Sequence, residues 1–329
     1  MAAKTGAWIG AALIVLAACS DEEAGGSGGG TTATASGGGG QTTGGSGGQA
    51  SGGSGGQSIG GAGGAGGQSC TGFNIVNSNV GFESGTFLDE WHLSSNNGED
   101  CAISVVTSPT RSGDYSLHVT HSIQGSGNYN RCEFGSNEMF DPNAALAGRF
   151  NWHTEYWLGY SIYLEDWTTD PADWNVLGQT HAVPGDYDWN CCSGPQFWEV
   201  STHFDQFRVG YGDIPDPEDP EMPCSGDYTY WTSPVGPMQN RWIDIVIHFN
   251  ATVGTGGFVH VWVDGIQRVD QHDSVLWALD TCGEPRTEEL ILQMGSYKEP
   301  ANTTVRSVYY DEIRITGADG CYDAVAPRD

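Results

Sequence analysis

The chain has 329 residues, 50 of them glycine, and its 12 Lys and Arg against 41 Asp and Glu give a formal net charge of -29. Such acidity repels a phosphate backbone, so nonspecific nucleic-acid binding is disfavoured.

At the N-terminus, Met1-Ala2-Ala3-Lys4 and an apolar stretch from Ala7 to Ala18 have the charge and length of a secretory signal. The stretch is too short to remain as a membrane-spanning helix. It closes as Leu16-Ala17-Ala18-Cys19, which resembles the bacterial lipobox, where cleavage precedes the cysteine and its thiol receives diacylglycerol. The resemblance implies a signal peptide at 1–18 and lipidation at Cys19. Because Ser20 rather than Asp follows the cysteine, it also implies a lipid anchor at the outer membrane or cell surface. From Ala24 to Gln68 almost every residue is Gly, Ser, Thr, Ala or Gln, which cannot bury enough apolar surface to offset ordering entropy. Residues 19–69 are therefore expected to form a disordered tether with a root-mean-square reach of about 35–40 Å.

Residues 70–329 are then one domain, long enough for a sizeable core. Apart from Cys19 it holds Cys70, Cys101, Cys132, Cys191, Cys192, Cys224, Cys282 and Cys321. An even count in an exported domain reads as disulfides, and the spacings contain no CxxC pair or zinc-ribbon pattern. Spacing leaves the connectivity open, although Cys70 with Cys321 would clip the domain ends together.

Strand signals recur at Ser116 to Thr120, Glu155 to Leu164, Trp242 to Phe249, Phe258 to Val263, Glu289 to Gln293 and Val308 to Ile315, each rich in β-branched and aromatic residues. In Tyr156 to Ile162 the even positions are bulky while Gly159 and Ser161 lie opposite, the pattern of a strand with one buried face. Asp264-Gly265 between two such runs predicts a tight hairpin. Gly210 to Pro223 is rich in proline and acidic residues and reads as an acidic surface loop. No long stretch has a helical period, so the fold class expected is all-β, an antiparallel concanavalin-like sandwich or β-jelly roll.

Three segments carry candidate chemistry: Arg131-Cys132-Glu133, Gln179-Thr180-His181 and Gln293-Met294-Gly295-Ser296-Tyr297-Lys298. At strand spacing Arg131 and Glu133 share one face, as do Gln179 and His181. Any one pair alone suits a solvated outer face.

The order of an R-x-E, a Q-x-H and a later G-x-Y segment resembles the jelly-roll polysaccharide lyases, which include alginate, glucuronan and heparin lyase I-type enzymes. Trp157 to Ser161, Trp242 to Phe249, Val261 to Gly265 and Tyr309 to Ile313 add to the likeness with the glucuronan and heparin lyase-like members. The resemblance implies β-elimination on an acidic, uronic-acid polysaccharide. Arg131 and Gln179 would neutralise the carboxylate beside the acidic C5 proton. His181 and Tyr297 would act as base and acid, in an order left open. Glu133 and Lys298 are implied to bind substrate, Tyr187 and His203 are further candidates for the groove beside the reading of ordinary loop or sheet residues, and Glu83 and Asp311 resemble ligands of a structural calcium ion. The likeness departs from alginate lyases at Gln293 and Glu299, which weakens alginate as substrate, while Lys298 after Tyr297 resembles the basic residue of the glucuronan and heparin lyase-like group; a glucuronan-like polymer is the first choice. The acidity requires cations to be concentrated locally, with Arg208 or Arg306 joining Arg131 and Lys298 and bound calcium adding to them. Trp152, Trp174, Trp189, Trp198 and Trp231 are candidates for sugar stacking or for packing.

The alternative is a noncatalytic carbohydrate-binding lipoprotein, since fold does not fix function. Glycoside hydrolysis ranks below both, because the Glu-x-Asp-x-x-Glu run of laminarinase-like sandwiches is missing. Nothing in the sequence signals oligomerisation, so a monomer is expected.

Overall fold

The computed structural model describes residues 70, 80–87, 91–93, 100–122, 131–135, 148–168, 174–182, 196–214, 226–252, 255–272, 289–298 and 304–328. The signal segment, Cys19, the tether, Tyr187, Trp189, Cys191, Cys192, Cys224 and Cys282 lie outside these residues.

In chain order the strands are β1 (His92–Leu93), β2 (Cys101–Val106), β3 (Ser116–His121), β4 (Arg131–Gly135), β5 (Arg149–Asn151), β6 (Glu155–Leu164), β7 (Trp174–Ala182) and β8 (Gln196–His203). There follow β9 (Gln206–Ile214), β10 (Gly226–Pro234), β11 (Trp242–Asn250), β12 (Phe258–Val263), β13 (Ile266–His272), β14 (Glu289–Lys298) and β15 (Arg306–Gly317), then a short helix α1 (Tyr322–Val325). They form two antiparallel sheets. The first runs β1-β4-β14-β7-β8-β9-β10 with β5 also paired to β14, and the second runs β13-β12-β11-β6-β15-β3-β2. The fold is the expected all-β jelly-roll sandwich.

Period-2 alternation explains the core. In β6, Leu158, Tyr160, Ile162 and Leu164 point into it, as do Ile243, Ile245, Ile247 and Phe249 of β11 and Phe134, Leu292, Met294, Trp198 and Val200 of the first sheet. Phe249 sits between Phe150 and Trp198 in edge-to-face contacts at 5.1 and 6.3 Å. The opposite face of β6 is less exposed than one-sided alternation suggests. Trp262 and Val246 pack with Ala324 and Val325 of α1 there, and a side chain at Gly159 would meet the Val325 carbonyl.

The Asp264-Gly265 hairpin forms as predicted, with φ of 50° and 74°, the left-handed pair that such a turn requires. Cys70 is bonded to Cys321. A second disulfide, Cys101 to Cys132, ties β2 of one sheet to β4 of the other. One expectation is corrected in part. Gly210–Ile214 belong to β9, paired with β8 and β10, because the run of ladder-breaking prolines begins only at Pro215.

Candidate active site

The outer face of the first sheet carries the polar residues of the three segments. Cys132 and Phe134 face the core, so alternation turns Arg131 and Glu133 outward. In register, Tyr297 pairs with Arg131, Gly295 with Glu133, and Gln293 with Gly135. On the other side of β14, Gln293 pairs with Gln179 of β7, which in turn pairs with Glu199 of β8. Since Gly295 has no side chain, Glu133 reaches across β14. Its Oε1 accepts a bond of 2.9 Å from Gln179 Nε2, and Gln179 Nε2 also donates to Gln293 Oε1 at 3.3 Å.

Glu133 is 1% exposed and Gln179 0%. Burial pushes the Glu133 carboxyl up from its ordinary value, while the Arg131 charge and the Gln179 amide pull it back. Arg131 Nη1 donates to Glu133 Oε2 at 3.4 Å. The guanidinium, one-third exposed, lies 3.9 Å from the ring centre of Tyr297. Trp174 closes the other flank of Tyr297, edge-on at 4.8 Å. A cation, a half-buried phenol and a buried carboxamide–carboxylate pair therefore meet across three strands. Such a set suits neutralising a bound carboxylate beside a proton-transfer group.

Three register slips shape the face, one between Met294 and Tyr297 where β14 pairs with β7, and two where β7 pairs with β8, between Val176 and Gly178 and between Gln179 and His181. Bulges of this kind re-aim side chains. Gly295 adopts φ 138° at the first slip. Tyr310 of the second sheet stabilises it. Its hydroxyl accepts from Gly295 N at 3.0 Å and lies 2.7 Å from the carbonyl oxygens of Gly295 and Leu177.

The other expected residues are distributed unevenly. His181 lies two residues beyond Gln179 on β7, paired with Ile291, and its side chain is outside the described set. His203 ends β8 opposite Trp174 and stacks on Phe204 at 4.2 Å. Arg208 of β9 extends the polar row, donating to Glu199 at 3.3 Å. Glu199 was missed in the sequence, although the alternation Phe197 to Ser201 leaves Glu199 polar between apolar neighbours.

Lys298 is a correction. Adjacent strand residues face opposite ways, so with Tyr297 outward Lys298 turns inward. It is fully buried, with Nζ donating to Thr304 O at 2.6 Å and His121 O at 3.4 Å, not facing the site. Burial lowers its pKa to about 8, against the opposing pull of Asp100. Arg306 is likewise removed from the site, held by Thr168 and lying over Trp167. Trp152 and Trp198 pack in the core, and Trp231 lies under Arg268.

Glu83 and Asp311, the residues that resemble calcium ligands, meet beside Gly81, where a Cβ would lie 3.3 Å from Glu83 Oε1 and 2.9 Å from Asp311 Oδ1. Asp311 Oδ2 accepts from Arg111 N and Ser112 N, and Oδ1 from Glu312 N. Glu83 accepts from Asp114 N and Tyr115 N. Both carboxylates thus clamp the 111–115 turn. Glu312 Oε1 lies 3.6 Å from the same point, so three carboxylates converge there.

The family described as polysaccharide lyase matches residues 82–314. No curated protein matches the chain. Among solved structures, an endo-β-1,4-glucuronan lyase from the fungus Trichoderma reesei is 15% identical, with a TM-score of 0.53 over 74% of this chain and 96% of that one. An alginate lyase from Pseudomonas aeruginosa is 16% identical, with a TM-score of 0.44 over 70% of this chain and 100% of that one. A carbohydrate esterase from the Shiga toxin-encoding bacteriophage phi24B is 11% identical, with a TM-score of 0.45 over 75% and 99%.

Proposed function

The chain belongs to the polysaccharide lyase family and is a carbon–oxygen lyase, and from that premise we propose that it cleaves a uronic-acid polysaccharide by β-elimination on the outer face of its first sheet. The observation that carries this reading is the Arg131 guanidinium, which sits at once against the Tyr297 ring and the buried Glu133 carboxylate.

A substrate carboxylate meeting Arg131 is neutralised, which acidifies the neighbouring C5 proton. A base removes that proton, the electron pair forms the C4–C5 double bond, and the C4–O bond breaks with its oxygen taking a proton. Tyr297 and His181 are the acid–base pair of this reading. Both amide hydrogens of Gln179 are already engaged by Glu133 and Gln293. Gln179 therefore reaches the substrate by exchanging one of those bonds, or serves by holding Glu133 under Arg131. Gln293 and Glu299, where alginate lyases differ, weaken alginate and leave a glucuronan-like polymer as first choice.

Tyr297→Phe and His181→Asn, made separately, are expected to reduce kcat by about 10²–10⁴-fold, the usual worth of an acid or base, with the melting temperature preserved. Full activity in both variants would remove this assignment. The same reading includes a monomer anchored through Cys19 to the outer membrane or cell surface, supported by Leu16 to Cys19 and the glycine-rich stretch behind it. Its check is the mass of the mature N-terminal peptide, which should carry a diacylglyceryl cysteine. An unmodified Cys19 would contradict the anchor and leave the chemistry untouched.

A further inference from the structure

The second sheet turns a histidine-rich patch outward, on the side of the sandwich away from the Arg131 site. Val259, Val261 and Val269 face the core, while His260 pairs with His248 on one side and with Asp270 on the other, and His272 pairs with Phe258. Antiparallel register therefore brings His260, Asp270 and His272 together at the β12–β13 hairpin arm. Asp270 Oδ1 lies 3.2 Å from His260 Nε2 and 3.3 Å from His272 Nε2. All three ligand atoms lie within 4.8 Å of one another.

We propose that His260, Asp270 and His272 bind a zinc-type divalent transition metal. With metal–ligand bonds of 2.0–2.2 Å, the edges of a tetrahedron are about 3.3–3.6 Å. Two of the three edges already have that length within about 0.1 Å. The third requires only a swing of His272, whose side chain is 66% exposed. Two imidazoles and one carboxylate are borderline donors that suit zinc and its neighbours, not calcium or magnesium.

A simple ion pair accounts less well for His260. Its Nε2 is sealed from solvent and makes no hydrogen bond, despite its closeness to Asp270, and a buried polar atom of this kind calls for a partner. The ring is held for that partner by stacking on Phe258 at 4.8 Å. His248, with its centroid 5.5 Å from His260, is committed to Glu155 at 2.7 Å and stacks on Trp157. It braces the site and leaves the remaining coordination position to water.

The test is calorimetric titration of the full chain with zinc chloride, after dialysis against chelator, with melting temperatures recorded with and without the metal. Asp270→Asn and His272→Ala alter side chains that are 67% and 66% exposed, so both variants should fold. His153→Ala, at an exposed residue outside the cluster, controls for scattered histidine binding. One zinc per chain is expected to bind the parent and the control and to raise their melting temperature. Each cluster variant should weaken binding by about tenfold or more, at least the effect of losing a supporting group at a metal site. Lyase activity should be unchanged in both cluster variants. Absence of zinc binding, or binding unaltered by both cluster substitutions, would overturn the proposal.

Discussion

Gly295→Ala is the most demanding perturbation of the site, because it changes no group that touches substrate. A Cβ at this position would lie 2.3 Å from the Cys132 carbonyl oxygen and 2.8 Å from Glu133 Cα. Relief to ordinary contact requires β4 and β14 to part by about 1 Å. Backbone at φ 138° adds a conformational cost of about 1–3 kcal/mol for a residue with a side chain, and overpacking adds about 1–3 kcal/mol more. The variant should therefore be destabilised by about 2–6 kcal/mol. The same parting of strands moves Arg131 and Glu133 relative to Tyr297, and a misplacement of about 1 Å costs roughly 10²-fold in rate. Denaturant unfolding measures the first effect, and kcat/KM for unsaturated product release measures the second. An alanine variant with parental stability and activity would refute the argument that the bulge sets the site.

Glu133→Gln keeps the shape and an acceptor for Gln179 but removes the anion under Arg131. Its kcat/KM should fall by about 10- to 100-fold, the worth of one charge-assisted hydrogen bond. Stability at neutral pH should not fall, because burial already disfavours the charged form; a lower melting temperature with intact activity would contradict this. Tyr310→Phe leaves the Gly295 N–H without the acceptor that it has now and should cost about 1–3 kcal/mol, read by unfolding. Asp311 is raised by burial, and further by Glu312, to about 7 from 3.8, even though three backbone N–H groups oppose the shift. The folded state therefore holds a proton that the unfolded state has lost, and this contribution to stability disappears as pH rises from 3.8 towards 7. Asp311→Asn lacks that slope, so the parent should lose melting temperature more steeply than the variant as pH rises from about 4 to 7. Parallel profiles would rule out a raised Asp311.

Much of the fold was legible because strand periodicity is local. Leu158, Tyr160 and Ile162 reveal their buried face from sequence alone, and Asp264-Gly265 allows few turns other than a tight hairpin. The same periodicity placed Arg131 with Glu133 on the outer face. What escaped depends on partners far along the chain. Glu199 and Arg208 become a pair only through the β8–β9 register, and Cys101 finds Cys132 only once the two sheets face each other. At Lys298 the family likeness and strand alternation point opposite ways, and alternation, which turns it away from Tyr297, prevails. Glu83 and Asp311 become neighbours only through the fold, where both accept from backbone N–H groups of the 111–115 turn. No local pattern announced the His260, Asp270 and His272 cluster, since three residues spread over two strands form it.

The central claim is elimination on a uronic-acid polymer, and its most direct test follows the ultraviolet absorbance of the conjugated uronate while the purified chain is incubated with glucuronan, alginate, heparin or heparan sulfate, with and without calcium. The account predicts a rise on one uronic-acid polymer, glucuronan first, that is lost in Tyr297→Phe. Cleavage that releases only saturated sugars, or a rise that survives the tyrosine substitution unchanged, would contradict it.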